Sequence, residues 1–449
     1  MEQAAWIAEL ESSVGAGVAA WDAKAVDKYS SDYHYFSPIL KHELKGSLAD
    51  CIATPRDEQE LEAILSFAAE KRIPVTIRGN GTGNYGQCIP MDGGIVLNLV
   101  KLDRIVEIGD GYMRVQAGAK LGKMEAEARK TGQELRIYPS TYLTATIGGY
   151  LSGGFAGIGS IRWGTIWDGL VRSLSVKTLE QKPRTLLVEG EKAVPYIHTY
   201  GTIGVLSEVE ISIVPRVEWM QWIVTFAEFE AAARFALEAA EDGELTKRLV
   251  SCHEWPIPSY FTPFKLPAGR AAVLLEMDER CEKLLLEKVH AHQGEVTVRI
   301  DAGKYHRGQG ISDFSFNHTT LWAIKSDPSL TYLQVSFQRE AFLEQIRSVK
   351  AAFPGVATHL EFNRKNGSLL ISGLPLFPYE GNEALGGLID CYAKHGVGMA
   401  NPHKWKLEDG GRSYPHDKLW AIKNADDPHH LLNTRKLGLP VDFHRANLI

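Results

Sequence analysis

Across residues 137–161 the chain carries no charged side chain, yet that stretch holds six glycines, six serines or threonines and Pro139. A helix crossing a membrane needs about 20 predominantly apolar residues. Glycine and hydroxyl side chains at this density exclude such a helix and leave a buried loop system. A buried loop must send its backbone N–H and C=O groups somewhere, and a bound ligand is a fitting destination. The remainder is ordinary for a globular protein: 449 residues, 44% hydrophobic and 23% charged, enough for two or three domains. Forty-nine basic and 55 acidic residues give a net charge of −6, which excludes a general nucleic-acid binder with its basic face. Cys51, Cys88, Cys252, Cys281 and Cys391 are scattered without a CxxC, so neither a disulfide framework nor a zinc knuckle is expected. Residues 1–15 contain acids and no apolar h-region. No transmembrane segment and a reduced, cytoplasmic setting are expected.

A second glycine cluster precedes the uncharged stretch. Cys51-Ile52-Ala53 reads as a short strand. Thr54-Pro55 is placed to open a helix whose core stripe is Leu61, Ile64, Leu65 and Ala68. A strand over residues 73–77 then runs into Arg78-Gly79-Asn80-Gly81-Thr82-Gly83-Asn84-Tyr85-Gly86-Gln87. Such glycines let successive N–H groups converge on an anion. The run is not a Rossmann fingerprint, because Asn84 stands where the last glycine belongs. It is not a P-loop, because no Gly-Lys-Ser/Thr follows. Further strands are expected at residues 94–99, 105–108 and 112–117, and a helix over 121–131 with Gly132 just past its end. After Pro215 the pattern changes. Trp219–Phe226 places Met220, Trp222, Val224 and Phe226 on one face, the mark of a half-buried strand. Helices at 228–240, 279–291, 339–352 and 382–395, with strands at 271–277, 331–337, 356–362 and 368–372, make an α+β layer.

The glycine loop, on this strand context, resembles the pyrophosphate loop of FAD-linked oxidases of the vanillyl-alcohol oxidase / p-cresol methylhydroxylase superfamily, whose members include glycolate oxidase flavoprotein subunits and D-lactate dehydrogenases. Pro139-Ser140-Thr141 with Ala145-Thr146-Ile147-Gly148-Gly149 is similar to the family's segment along the flavin. Gly157-Ile158-Gly159-Ser160-Ile161-Arg162-Trp163-Gly164, then Asp168, resembles the run that follows it. Gly201-Thr202-Ile203-Gly204-Val205-Leu206-Ser207-Glu208 resembles the segment near the adenine. Asp427-Pro428-His429-His430-Leu431-Leu432-Asn433-Thr434-Arg435-Lys436-Leu437 resembles the family's ending. The resemblance implies an α+β fold, a two-part FAD-binding PCMH-type domain joined to an antiparallel-sheet-and-helix substrate (cap) domain. Its boundaries would be 1–216 (core about 46–216) for the FAD-binding domain and 217–425 for the cap. A tail, 426–449, would pack back on the FAD domain. Cofactor contacts would come from Arg78, Gly79, Asn80, Gly81, Thr82, Gly83, Asn84 and Gln87; from Pro139, Ser140, Thr141, Thr144, Ile147, Gly148, Gly149 and Gly159; and from Ile203, Gly204 and Val205. Relatives that tether flavin from the first loop carry histidine where Thr82 stands, so the FAD is expected to be noncovalent.

Chemistry in such a protein falls to the cap, which must orient the donor carbon and accept a proton. His318 lies in the polar cluster Asn317-His318-Thr319-Thr320. His359 shares a strand face with Glu361, two residues on. His403 follows the turn at Gly396-Val397-Gly398. A family-type metal site is not expected, because Lys394 stands where metal-dependent relatives place a glutamate and no His-x6-His pair surrounds His359. The resemblance thus implies an FAD-dependent dehydrogenase or oxidase of a small alcohol or 2-hydroxy acid, with hydride passing to flavin N5. Two alternatives stay open: an oxidase of para-substituted phenols, and a non-catalytic flavin-binding subunit of a larger complex. The expected partners are a small-molecule substrate, an unnamed electron acceptor and a second copy in a homodimer.

Overall fold

The computed structural model describes residues 5–304, 310–410 and 414–438. The chain opens on a small sheet in which Cys51–Ala53, Ile95–Asn98 and Val75–Arg78 run parallel, with Ala19–Ala20 antiparallel at the edge. Cys51–Ala53 and Ile95–Asn98 are buried at every position, as parallel strands covered on both faces must be. The crossover is the helix Glu58–Lys71, which buries the expected Leu61, Ile64, Leu65 and Ala68. Its N-cap is Asp57, not the expected Thr54, because the Asp57 carboxylate accepts the Glu60 N–H. A second, antiparallel sheet runs Ile105–Gly109, Tyr112–Gln116, Val205–Pro215, Val171–Lys177, Thr185–Glu189.

The third sheet has eight antiparallel strands in the order Glu295–Ile300, Trp219–Phe226, Ala271–Asp278, Lys247–His253, His359–Lys365, Ser368–Gly373, Val335–Phe337, Gly398–Met399. Helices Phe229–Glu241, Glu282–Ala291, Phe342–Ala352 and Asn382–Lys394 cover one face, where Trp222, Val250, Cys252, Leu360 and Phe362 are buried. A second cluster, including Ile223, Leu249, Leu274, Phe261 and Phe314, covers part of the other face. Trp219–Phe226 is therefore buried at all eight positions rather than half-buried. The expected strand at 331–337 divides: Leu330–Tyr332 pairs with Leu376–Pro378, while Val335–Phe337 joins the eight-stranded sheet. Asn317-His318 opens the helix Asn317–Ser326.

The return to the first unit begins before the expected residue 426. Leu407, Leu419 and Trp420 join the cluster around Met113, Leu174 and Val209, so we propose that the cap unit ends near Ala400. Among the described residues no helix is long and apolar enough to cross a membrane.

A buried ion cluster fixes the eight-stranded sheet against the first unit. Arg248 is 1% exposed, and its Nε donates to Glu276 at 2.6 Å. Its guanidinium lies over the rings of Trp219 and Tyr138, at 4.9 and 5.6 Å. Glu134, from the first unit, accepts from Trp219 Nε1 at 2.8 Å and stands 3.9 Å from Arg248. The Arg248 carbonyl accepts the Gly159 N–H at 2.8 Å. Removing one member of a buried ion set leaves uncompensated charge. Arg248→Met is expected to destabilise the fold by about 3–5 kcal/mol, measured as a lowered urea midpoint; an unchanged midpoint would show that the cluster does not hold the units together.

Candidate active site

A cavity of about 910 Å³ lies between the loops of the first unit and the eight-stranded sheet. Residues Arg78 to Asn84 form one end. The strand Val75–Arg78 delivers this loop. Among the described residues, none of the N–H groups of Gly79, Asn80, Gly81, Thr82 and Gly83 donates to a protein acceptor. Five such donors beside one cavity are the partner a pyrophosphate requires. Gly81 has φ +63°, and a Cβ there would lie 2.1 Å from the Arg78 guanidinium. Arg78 braces the loop, donating to the Ser31 carbonyl.

The tail holds the base of that loop. Val75 N–H donates to Leu431 O at 2.8 Å, and Asn433 N–H returns to Val75 O at 2.7 Å. Asn433 Nδ2 donates to Gln87 O at 2.9 Å. Asp427 accepts the N–H groups of Leu431 and Leu432 and pairs with Lys423, whose Nζ also reaches Thr202 O at 2.7 Å.

The uncharged stretch forms the long wall. Pro139, Ser140, Thr141, Thr144, Gly148 and Gly149 face the cavity, as do Gln87 and Gly204. Four expected contacts stand elsewhere. Ile147 is wholly buried in the adjoining core, and its N–H goes to Ala119 O. Ile203 and Val205 are buried in the cores behind the wall. Gly159 serves a turn at φ +97°, where a Cβ would lie 2.0 Å from Arg136 O. Sequence reasoning missed Trp167, Pro195, Tyr200, Tyr414 and Lys418, which also line the cavity. These residues carry no shared spacing that could have flagged them.

The opposite wall is polar. Asn317, His318 and Leu321 come from one helix, and Glu361, Asn363 and Ser372 from paired strands. His318 lies on the wall; its Nδ1 has no hydrogen-bond partner and stands 4.0 Å from Asp313 Oδ1. Burial, helped by Lys325, pushes the His318 ring down to about 4, and burial raises the Asp313 carboxyl to about 6. His359 is fully buried and is not a lining residue; its Nε2 meets Glu361 Oε1 at 2.8 Å. The structure thus puts Glu361, not His359, on the wall. His253, which the sequence did not single out, stacks on His359 at 4.4 Å. Burial and the neighbouring His359 ring hold its pKa well below the usual histidine range.

His403 is also off the wall. Ser37 Oγ donates to its Nδ1 at 2.7 Å, and its Nε2 donates to Tyr332 O at 2.9 Å. Both ring nitrogens are used, and burial pushes the ring down to about 4, so His403 is a structural tie between units. His395 closes the helix Asn382–Lys394, and its carbonyl accepts from Gln345. Neither Lys394 nor His395 lines the cavity.

A nest of unpaired backbone donors beside an uncharged wall is the arrangement an FAD cofactor requires. Residues 49–178 match the FAD binding domain family. It is similar to D-lactate dehydrogenase of Archaeoglobus fulgidus, 27% identical over 202 residues, 42% of this chain and 44% of that protein. Similarity to the glycolate oxidase subunit GlcD of Bacillus subtilis is 26% over 259 residues, 55% of each chain. Both matches thus span about half of those proteins or less. An uncharacterized FAD-linked oxidoreductase of Mycobacterium tuberculosis matches at 22% identity over 91% of this chain and 94% of its own. Among solved structures, an alkyldihydroxyacetonephosphate synthase superposes with a TM-score of 0.74 at 13% identity, over 96% of this chain and 86% of that one.

Gly81→Val places a branched side chain against Arg78 at a positive φ. The variant is expected to fold, by circular dichroism, with less than a tenth of the wild-type FAD absorbance. Full flavin content would move the pyrophosphate site elsewhere. Thr82 offers no imidazole for a tether, so acid precipitation should release the yellow colour to the supernatant; colour in the pellet would establish a covalent bond.

Proposed function

We propose that this protein oxidises a small alcohol or 2-hydroxy acid at the carbon bearing the hydroxyl, and that His318 accepts the hydroxyl proton. One observation carries this reading: a single cavity joins the loop of unpaired N–H groups to a wall holding His318, Asn317 and Asn363. Bound FAD supplies the hydride acceptor. The chain's own residues do the rest. Gly79 to Gly83 bind the pyrophosphate, and Asn317 and Asn363 offer hydrogen bonds that orient a hydroxyl. Phe316 and Leu321 line the same end and exclude water. His318 Nδ1 has no competing partner, and the ring is neutral, the form that accepts a proton, above about pH 4. The similarity to a D-lactate dehydrogenase and a glycolate oxidase subunit, proteins named for hydroxy acids, supports this substrate class.

Anaerobic bleaching of the flavin absorbance, screened over alcohols, 2-hydroxy acids and phenols, tests the reaction; bleaching by phenols alone would overturn it. With the substrate so found, His318→Ala is expected to retain FAD and slow flavin reduction by about 10²–10⁴-fold. Wild-type reduction should fall away only as pH approaches about 4. The same lowered pKa makes the stability contributed by a neutral His318 fully present above the unfolded value near 6.5 and lost as pH falls toward 4. Thermal denaturation from pH 7 to 4 should therefore show a shallower fall in His318→Ala than in wild type.

A further inference from the structure

We propose that the hydroxyl compound oxidised in this cavity is an uncharged polyol, bearing hydroxyls on several carbons, and that the side-chain oxygens of Glu361, Asn363 and Asn317 select it over a 2-hydroxy acid. The polyol is a narrower class within the oxidoreductase reading above and rests on it. All three residues line the cavity. Glu361 and Asn363 are two apart on the strand His359–Lys365 and share a face. Asn317 opens the helix Asn317–Ser326 and is followed at once by His318, the proposed proton acceptor.

One oxygen of each residue is buried without a hydrogen-bond partner: Glu361 Oε2, Asn363 Oδ1 and Asn317 Oδ1. Glu361 is 0% exposed and Asn363 1%. The protein directs its own groups to the other Glu361 oxygen. Ser251 Oγ and the Phe316 N–H donate to Oε1 at 2.8 and 2.6 Å, and His359 Nε2 stands 2.8 Å from it. Oε2 is therefore the atom left to a ligand. Asn363 turns its Nδ2 toward the Glu361 carbonyl, at 3.5 Å, which leaves Oδ1 as its open end. A buried acceptor without a donor is costly, and three of them on one cavity wall call for a ligand rich in O–H groups.

A 2-hydroxy acid matches this wall poorly. Its carboxylate only accepts hydrogen bonds, and it would stand against the Glu361 carboxylate, a like charge. Among the described residues, the lysines and arginines that line the cavity are Arg78, Lys365 and Lys418. Arg78 stands beside the glycine loop, and Lys418 comes from the helix His416–Asp426, which packs on the first unit through Leu419. Lys365 is exposed at the end of the strand that carries Glu361, about 13 Å along it. Its ammonium lies over the Phe155 ring at 5.8 Å. Lys325 does not line the cavity and lies over the Trp322 ring at 4.7 Å. An amine is also a poor match, because Glu361 and Asn363 are spaced about 6.6 Å along the strand. Hydroxyls on several carbons cover that span and a single ammonium does not. In the reaction, the polyol carbon beside His318 gives up hydride to bound FAD and its hydroxyl proton to His318, leaving a carbonyl. The neighbouring hydroxyls keep their protons and donate to Glu361, Asn363 and Asn317.

The test is anaerobic reduction of the FAD-loaded protein, followed as loss of flavin absorbance, by a matched series. The polyols are xylitol, sorbitol and myo-inositol; the comparisons are 1-pentanol, gluconate, D-lactate, glycolate and 2-aminoethanol. The reduction rate constant divided by the substrate dissociation constant is expected to be at least about tenfold higher for one of the polyols than for every comparison compound. This series uses wild type and needs no variant to fold. Asn363→Leu keeps the side-chain volume and removes the acceptor. The variant is expected to retain flavin and to lower the ratio of polyol to pentanol reduction about tenfold. Faster reduction by a hydroxy acid, the amine or pentanol than by any polyol would overturn the proposal and leave the oxidoreductase reading standing. Reduction by none of the compounds would overturn both. An unchanged ratio in folded, flavin-loaded Asn363→Leu would also count against the polyol, since the acceptor assigned to it would then bind nothing.

Discussion

Five consecutive backbone N–H groups with no protein acceptor are costly to keep beside a buried space, and the first unit is built around that cost. Unpaired buried donors lose roughly the value of a hydrogen bond each. The loop survives because its flanks are held independently of it. Val75–Arg78 is fixed in a parallel sheet, and the tail bonds to Val75 from the other side. Arg78 lines the cavity beside the loop and donates to the Ser31 carbonyl, so its charge stands next to the anion site. An anion then completes a geometry that the protein has already set, which is how a flexible, glycine-rich segment binds without a large ordering loss.

The second constraint is the position of the cap sheet over that site. Arg248 and Glu276 are on neighbouring strands of the sheet, while Glu134 and Tyr138 belong to the first unit. The same strand that carries Arg248 carries Ser251 and His253 farther along. Fixing one end of it by buried charge thus fixes the polar face at its other end. Lighter ties reinforce this: Asn84 donates to the Tyr332 hydroxyl, and Gln334 to the Tyr85 hydroxyl. Both tie the glycine loop directly to cap residues.

How far the sequence could be read follows from the range of each interaction. The stripe Leu61, Ile64, Leu65, Ala68 and the Gly132 turn are local, and they stand as read. Much of Pro139 to Gly149 lines the cavity, and its lack of charge with its glycines was the local signal for a buried loop. Trp219–Phe226 was misjudged because a period of two reports only that faces differ, not that the second face meets another cluster. His403 was legible as a histidine near a turn but not as one bonded at both nitrogens, since Ser37 lies 366 positions away. His253 was invisible for the same reason: His359 meets it only through strand pairing. The tail's early return escaped notice because Leu419 and Trp420 look like any amphipathic helix until a partner core is known.

What the polar wall can do turns on a division of labour between its two titratable groups. Glu361 reaches the cavity from the sheet, with Oε1 taken by Ser251, His359 and the Phe316 N–H. An oxygen with three neighbours is a poor place for a substrate proton. His318 reaches the same space from the start of a helix whose first residue follows that Phe316 N–H. The Glu361–Phe316 bond therefore sets the start of the helix and, with it, the height of the imidazole above the sheet. Burial keeps that ring neutral while Glu361 Oε1 stays tied into its cluster, so the two groups keep separate roles. Replacing the Glu361–Phe316 bond by an apolar contact would disturb His318 as much as the sheet. A contact between residues 45 positions apart, not His318's own neighbours in sequence, positions the proposed proton acceptor.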